Sequence, residues 1–271
     1  MLEKLENELK LRGFSDKTIS AYMFQNRKFL EFSGKKPEEI GQDDIKKFLG
    51  NLISDKKQRP ASVGLTLSAL KFFYLEVLKR PVFEGIKAPK TEKKIPTVLA
   101  REEIKRMIEA VENPKHRLLI QLMYSSGLRV SECVTLKMDD LDLEERMGTI
   151  RSGKGRKDRH IILSEKLVEQ LKDYLSKKKV DSPYIFSVKD RHITTRQAQK
   201  VVSQAAVKAG IKKRVFCHAL RSSFATHLLE SGTDIRVIQE LLGHSNLNTT
   251  QRYTMISREQ LKKVKSPLDE L

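Results

Sequence analysis

Residues 215–255, VFCHALRSSFATHLLESGTDIRVIQELLGHSNLNTTQRYTM, combine helical periodicity with a fixed order of polar residue types. His218 and Arg221 are three residues apart, so on a helix they share one face and can converge on one target. Gly243 predicts the end of a helix over DIRVIQELL, which places His244 on a turn rather than on a packed face. Tyr253 follows nine residues after His244. The stretch therefore predicts a helical domain that presents reactive side chains near a helix end.

The chain is long and strongly basic. Its 271 residues fit one large or two modest domains with a packed core. The formal net charge of +18, from 53 Lys and Arg against 35 Asp and Glu, favours nucleic acid as a partner, because bound phosphates release counterions. No apolar run reaches the roughly 18 residues that span a bilayer, and the N-terminus MLEKLENELK is not a secretory signal. Since Cys133 and Cys217 suggest no disulfide framework, we expect a reducing, cytoplasmic location and no membrane partner.

Apolar side chains recur at helical spacing through residues 1–80 and predict four helices with short connections. Gly34 predicts the end of the second helix, and Pro60 predicts the start of the fourth. Such helices make a small bundle, rich in lysine and arginine on its outer faces. From Arg80 onwards the segment RPVFEGIKAPKTEKKIP has no period and contains three prolines. It predicts an interdomain linker over residues 81–96, which is either a solvated tether or a segment whose lysines contact phosphates.

After this linker the helical pattern resumes. It predicts a short helix after Arg129 and longer helices over residues 101–111, 114–125, 165–178 and 195–209. The segment MGTIRSGKGRKDRHIIL breaks the pattern, because β-branched runs flank Lys-Gly-Arg-Lys. It predicts a hairpin with strands near residues 147–152 and 158–163. The expected fold class is therefore mainly α with a small β-sheet (α+β).

The pattern H-x-x-R…L-L-G-H…Y resembles the active-site signature of the tyrosine recombinases, the lambda-integrase family. Upstream, SSGLRVSE resembles the family's first catalytic arginine motif, with Arg129 as the arginine and Glu132 as its acidic member. In the hairpin tip GKGRKDR, Lys154 occupies the family's position for a general acid. The resemblance covers nearly the whole chain. It implies a helical core-binding (SAM-like) DNA-binding domain at residues 1–80 and a catalytic domain with a C-terminal tail at residues 97–271.

These residue types suit the cleavage of a DNA phosphodiester without a metal. Attack at phosphorus builds negative charge on the non-bridging oxygens, and Arg129 and Arg221 carry permanent charges that bind two oxygens at once. The 5′-oxygen leaves poorly unless it is protonated, which is the task of Lys154 in the family. We expect Glu132 to hold a basic neighbour in place. The choice of lysine rests on the resemblance, because other basic residues lie close by in the sequence: Arg156, Lys157 and Arg159.

Tyr253 is the predicted nucleophile. An aryl oxide leaves more readily than an alkoxide, so a phosphotyrosyl bond can be reversed when DNA is rejoined. A phenol whose pKa is about 10 needs nearby positive charge and a proton acceptor. We expect His218 to be that acceptor and His244 to donate to a non-bridging oxygen.

Other groupings have weaker support. The run MDDLDLEER could bind Mg²⁺ as in a nuclease, through Asp139, Asp140, Asp142, Glu144 and Glu145. A run of this kind before a strand is more often a solvated, capping connection. Cys217 beside His218 lacks the second Cys-His pair of a zinc site. His227 lies among apolar residues, and we expect it in the core or behind the site. The resemblance implies no metal and no nucleotide cofactor.

The size of the chain resembles the Xer branch of the family, which resolves chromosome or plasmid multimers at dif-like sites. The family implies double-stranded DNA as the partner, with four protomers on two duplexes. It also implies a 3′-phosphotyrosyl intermediate and a Holliday junction. A mobile-element integrase of this size would look similar, and a type IB topoisomerase shares the chemistry. The tail after Tyr253 has apolar residues at nearly helical spacing, and it docks either on its own catalytic domain or on the neighbouring protomer.

Overall fold

The structure of the protein is a computed structural model that describes residues 1–90, 96–151, 158–178 and 180–243. The chain divides into two compact units, Met1–Lys94 and Ile95–Leu271. The sites predicted at Lys154, His244 and Tyr253, together with the C-terminal tail, lie outside the described residues. Within the described ranges, no helix is both long enough and apolar enough to cross a bilayer.

The described part of the first unit is built from helices whose positions agree with the apolar spacing: α1 Leu2–Leu11, α2 Asp16–Ser33, α3 Gln42–Ser54 and α4 Pro60–Lys71. The hydroxyl of Ser15 caps α2 by accepting from the backbone N–H of Thr18 at 3.2 Å. Gly34 ends α2 in the left-handed conformation, with φ +62°. After Lys71 the fourth helix continues as a π-helical turn over Phe72–Val77.

The core of the first unit is rich in aromatic rings. Phe29 packs on Phe48 and Tyr74, with ring centroids 5.1 and 6.1 Å away. Phe83 and Ile86, which belong to the predicted linker, join this core with exposures of 6% and 9%. The expectation of a solvated tether is therefore wrong for this part of the segment. Two apolar residues between prolines leave no periodic signal, so only the folded chain shows that they are buried.

The second unit is mixed, as predicted. Its described helices are α5 Arg101–Glu109, α6 Pro114–Ser125, α7 Val130–Thr135, α8 Glu165–Ser176, α9 Thr195–Lys208, α10 Cys217–Glu230 and α11 Ile235–Leu242. The predicted helices appear with ends shifted by at most two residues. Side chains of Asn113, Ser164 and Thr194 cap α6, α8 and α9, because each accepts a hydrogen bond from a backbone N–H in the first turn.

A small antiparallel sheet packs beside these helices. Its strands, in the order β1-β2-β3, are β1 Leu141–Asp142, β2 Met147–Ile150 and β3 Arg159–Ile162. Met147 lies opposite Ile162, and Ile150 lies opposite Arg159, which confirms the predicted hairpin. A second pair, β4 Ser187–Val188 with β5 Arg191–His192, is not predicted from the sequence, because strands of two residues have no readable period.

Helix α10 runs through the second unit, and all but three of its 14 residues are buried. It packs against α6, α9 and α11. A helix that is buried nearly all round is typical of the centre of a domain. Because α10 enters the interior, it carries Arg221 inside, whereas His218 in its first turn stays exposed.

Candidate active site

Arg129 lies where the chain turns from α6 into α7. Gly127 makes this turn with φ +59°, a conformation that other L-residues rarely adopt. Arg129 is the N-cap of α7, and its backbone N–H donates to Oε2 of Glu132 at 2.8 Å. The local sequence Gly-Leu-Arg-Val-Ser-Glu therefore folds so that the arginine and the glutamate meet within one helical turn.

Glu132 is surrounded by guanidinium groups. Nη1 of Arg129 donates to Oε1 at 2.7 Å. Arg159 donates to both carboxylate oxygens, from Nη1 to Oε1 at 3.0 Å and from Nη2 to Oε2 at 2.7 Å. Nη1 of Arg221 lies 4.0 Å from Oε2. Three arginines around one carboxylate leave the centre with a net positive charge, which suits a phosphate ligand.

The carboxyl group of Glu132 is held in its charged form. Burial alone would raise its pKa, since burial penalises the charged form. The hydrogen bonds and charge of Arg159, followed by the hydrogen bonds from Arg129, outweigh that effect and lower the pKa of Glu132 to about 2. Glu132 is therefore a permanent anion at neutral pH and cannot serve as a proton donor there.

Arg221 reaches the same place from the interior, with 1% of its side chain exposed. Its Nη1 donates to the carbonyl oxygen of Gly127 at 2.6 Å, and its Nη2 donates to the carbonyl oxygen of Leu242. A buried guanidinium needs such acceptors, because an unsatisfied buried charge is costly. These bonds fix Arg221 between the turn before Arg129 and the end of α11.

The C-terminal end of α11 is bound by arginines. Arg159 donates from Nε to the carbonyl oxygen of Leu241 at 2.9 Å, and Arg129 donates from Nη2 to that of Gly243 at 3.4 Å. With the bond from Arg221 to Leu242, consecutive carbonyl oxygens each accept from a different arginine. The last carbonyl groups of a helix carry partial negative charge and lack partners within the helix, so cations stabilise them. Gly243 ends α11 at φ +60°, as predicted.

His218 lies at the exposed edge of this cluster, one turn before Arg221 on α10. Partial burial lowers the pKa of His218, and the positive charges of Arg221 and Arg129 lower it further. A lowered pKa favours the neutral imidazole, which can accept a proton.

The described residues thus bring Arg129, Glu132 and Arg221 together, with His218 beside them. Arg159 also belongs to the cluster, although the sequence patterns do not single it out. One signal could have found it: Arg159 and Ile161 alternate with exposed residues along β3, so Arg159 occupies an inward-facing position. An arginine at such a position must be paired.

Two residues of the competing acidic run accept backbone hydrogen bonds. Oδ2 of Asp140 accepts from the backbone N–H of Lys137 at 3.0 Å, and Oδ1 of Asp142 accepts from the backbone N–H groups of Glu144 and Glu145. These are capping and turn interactions. Across the described ranges, no group of three or more His, Cys, Asp or Glu side chains is arranged to hold a metal ion.

His227 and the two cysteines lie in the interior of this unit. His227 is 6% exposed, and its Nδ1 lies 2.8 Å from the hydroxyl of Tyr124. This agrees with the expectation of a histidine in the core or behind the site. Cys133 and Cys217 are buried free thiols.

Comparison with known protein families covers both units. The family profile described as Phage integrase family matches residues 97–260, and the profile described as Phage integrase, N-terminal SAM-like domain matches residues 1–84. The chain is 38% identical to the tyrosine recombinase XerA of Thermococcus kodakarensis and 40% identical to that of Pyrococcus furiosus. Each alignment covers 97% of this chain, with 93% and 91% of the respective relative.

Among solved structures, one similar protein is the XerH site-specific recombinase, bound to a palindromic difH substrate in a post-cleavage complex. The TM-score is 0.75 and the sequence identity is 28%, over 97% of this chain and 82% of that chain. The similarity therefore extends over both units of the chain.

Proposed function

Because this chain belongs to the phage integrase family of tyrosine recombinases, enzymes that cleave and rejoin DNA, we propose that it is an Xer-type recombinase that resolves chromosome or plasmid multimers at dif-like sites. The similarity to two XerA proteins and to a XerH protein bound to a difH substrate supports this branch. In this proposal residues 1–80 bind DNA, residues 81–96 connect the domains, and residues 97–271 carry the catalytic site and the tail.

The observation that supports the chemistry most directly is the convergence of Arg129 and Arg221 beside Glu132 and the end of α11. Both guanidinium groups would bind non-bridging oxygens of the scissile phosphate and stabilise the charge that builds up during attack. The negative charge of Glu132 stabilises the two neighbouring guanidinium groups before DNA binds. The site needs no metal in this proposal, because permanent cations already supply the positive charge.

Tyr253 then acts as the nucleophile. Its phenolic oxygen forms a bond to phosphorus as the bond from phosphorus to the 5′-oxygen breaks, which leaves a 3′-phosphotyrosyl intermediate. His218, with its lowered pKa, accepts the phenolic proton, and Lys154 donates a proton to the departing 5′-oxygen. His244 donates to a non-bridging oxygen. Attack by a 5′-hydroxyl of the partner duplex reverses the step and rejoins the strands.

Exchange between duplexes requires more than one active site. Four protomers would therefore assemble on two double-stranded DNA sites, and a Holliday junction would form after the first pair of strand exchanges. The formal net charge of +18 supports such DNA binding, because phosphate contacts would dominate the affinity.

The test is covalent trapping by the wild-type protein and by Tyr253→Phe. The substrate is a nicked duplex that carries the sequence the wild-type protein enriches from a randomised library, here called the selected site. Loss of the terminal nucleotide beyond the nick prevents rejoining, so wild type should accumulate a protein–DNA adduct in denaturing gels. Tyr253→Phe should bind the duplex with similar affinity and form no adduct, because only the nucleophilic oxygen is lost. Equal trapping by both proteins would overturn the assignment.

A plasmid with two selected sites tests the branch. An Xer-type enzyme should convert it into two circles, whereas a topoisomerase would relax its supercoils without recombinant products. Recovery of the selected sequence at the ends of a mobile element, and not in a chromosomal or plasmid resolution site, would replace the Xer proposal with an integrase.

A further inference from the structure

Arg159 is a buried arginine that is hydrogen-bonded to other elements of the second unit. Only 3% of its side chain is exposed, and the strand register places it opposite Ile150 on the inward face of the sheet. Burying a guanidinium is costly unless it is paired and hydrogen-bonded. Here Nε binds the carbonyl oxygen of Leu241, and the two terminal nitrogens bind both oxygens of Glu132. One side chain therefore connects β3, α7 and the end of α11.

The contact with α11 is close. A Cβ atom built on Gly243 would lie 2.6 Å from Cδ of Arg159, a distance that packed atoms do not adopt. The arginine stem therefore fills the space directly against the residue that ends α11. His244, the next residue in the sequence, follows a helix end whose position Arg159 helps to determine.

The acceptor positions of Glu132 are filled. A carboxylate offers about four lone-pair sites, two on each oxygen. Oε1 accepts from Nη1 of Arg129 and Nη1 of Arg159, and Oε2 accepts from the backbone N–H of Arg129 and Nη2 of Arg159. Arg221, at 4.0 Å from Oε2, lies beyond hydrogen-bond range of this carboxylate.

We propose that Arg159 is a positioning residue of the recombination reaction, which holds Glu132 and the end of α11 in place so that Glu132 in turn orients Arg129 toward the scissile phosphate. The inference rests on the proposed function. Without Arg159, two acceptor sites on Glu132 become free, and the guanidinium group of Arg129 would turn further toward the carboxylate as a bidentate pair. A phosphate would then have to displace that pair before cleavage. Arg159 acts through Glu132 and does not touch the reacting atoms.

The test compares Arg159→Lys in two backgrounds, wild type and Glu132→Gln, with the full chain. Lysine keeps the charge but cannot bind both carboxylate oxygens and the Leu241 carbonyl at once. We expect Arg159→Lys to lower the single-turnover cleavage rate at saturating protein by about tenfold or more, as other positioning partners do. The protein concentration that half-saturates the selected site should change little. Arg146→Lys is the matched control, because Arg146 is 56% exposed beside the same sheet and lies 3.9 Å from Glu165.

The double variant distinguishes positioning from general structural support. If Arg159 acts through Glu132, Arg159→Lys should cost at most about threefold in the Glu132→Gln background, because interacting residues are not additive. An equal fold-loss in both backgrounds would overturn the proposal, as would a wild-type cleavage rate for Arg159→Lys.

A folding defect has its own control. If Arg159→Lys shows no cooperative thermal transition, the cleavage rate of Glu132→Gln is compared with that of the double variant Glu132→Gln/Arg159→Met. The double variant contains neither of the two buried charges, so no unpaired charge remains in its interior. The two should cleave at similar rates, and a much slower double variant would contradict the inference. Failure of the wild-type protein to trap the selected site would instead count against the proposed function.

Discussion

Nη1 of Arg221 lies 2.6 Å from the carbonyl oxygen of Gly127, so the central helix of the second unit binds directly to the turn that precedes Arg129. Gly127 also lies against another residue of α10. A Cβ atom at Gly127 would clash with Cδ1 of the Phe224 ring on that helix. Packing of the helix and placement of the two arginines therefore depend on one backbone position.

Gly127→Ala should destabilise the protein and slow DNA cleavage. The left-handed backbone costs alanine about 1 to 2 kcal/mol, and the clash with Phe224 adds about 1 to 3 kcal/mol of overpacking. The displaced carbonyl would also release Arg221. Gly210→Ala is the control, because Gly210 has φ +67° with open space around its Cβ position. Urea unfolding followed by circular dichroism should show a clearly larger loss for Gly127→Ala, and equal losses would rule out the packing argument.

Arg129→Lys and Arg221→Lys should each slow cleavage of the selected site by about 10²-fold, the usual effect of losing a donor to a developing oxyanion. A lysine is a point charge and cannot bind two phosphate oxygens in one plane. At Arg221 it also cannot reach the carbonyl oxygens of Gly127 and Leu242 together. Single-turnover rates of adduct formation give the measurement. Full activity in either lysine variant would count against bidentate binding of the phosphate.

Because Glu132 is ionised in the folded protein, the free energy of unfolding should depend on pH in the acid range. The pKa of Glu132 is lowered to about 2 in the folded protein. Its contribution to the free energy of unfolding is therefore fully present above the ordinary glutamate pKa of about 4.5 and is lost as the pH falls toward 2. A shift of this size corresponds to roughly 3 kcal/mol. The unfolding free energy of wild type minus that of Glu132→Gln should therefore shrink as the pH falls from 5 toward 2. Glu165→Gln, which removes one carboxylate of an exposed pair, is measured in parallel as the matched control variant.

Chelation should not affect cleavage. The proposed reaction uses arginine, lysine, histidine and tyrosine, and Asp140 and Asp142 already accept backbone hydrogen bonds. Adduct formation on the selected site should be unchanged in EDTA and after Mg²⁺ is added back. A Mg²⁺-dependent restriction nuclease, assayed on the same DNA, checks that the chelator works. Loss of cleavage in EDTA that Mg²⁺ restores would favour a nuclease mechanism at the acidic run.

Deletion of residues 257–271 should impair assembly more than DNA binding. The predicted tail helix is too short to persist alone, so it must dock on another surface. We expect that surface to belong to the neighbouring protomer. The truncated protein should bind a single selected site with unchanged affinity but form few paired complexes in native gels. Recombination of two sites at the full rate would show that docking between protomers is not needed.

Much of the fold follows from local patterns. Helices begin at Pro60 and end at Gly34 and Gly243 as predicted, because proline at a helix start and a left-handed glycine at a helix end act within one helical turn. The β-branched runs around residues 152–157 likewise predict the hairpin. Phe83 and Ile86 do not follow such a rule, since their burial depends on a core formed by distant helices.

The sequence by itself determined the types and order of the residues to which we assign the reaction. Phosphate binding, proton transfer and nucleophilic attack each need a particular side chain, and the motifs around Arg129, Arg221 and Tyr253 contain them. Only the tertiary structure decided that Arg159 joins Glu132, 27 residues away, to Leu241, 82 residues away. No local periodicity encodes a pairing at that separation. It arises because a guanidinium carried inward by β3 must find acceptors in the packed interior, and the folded elements place a carboxylate and a helix end there.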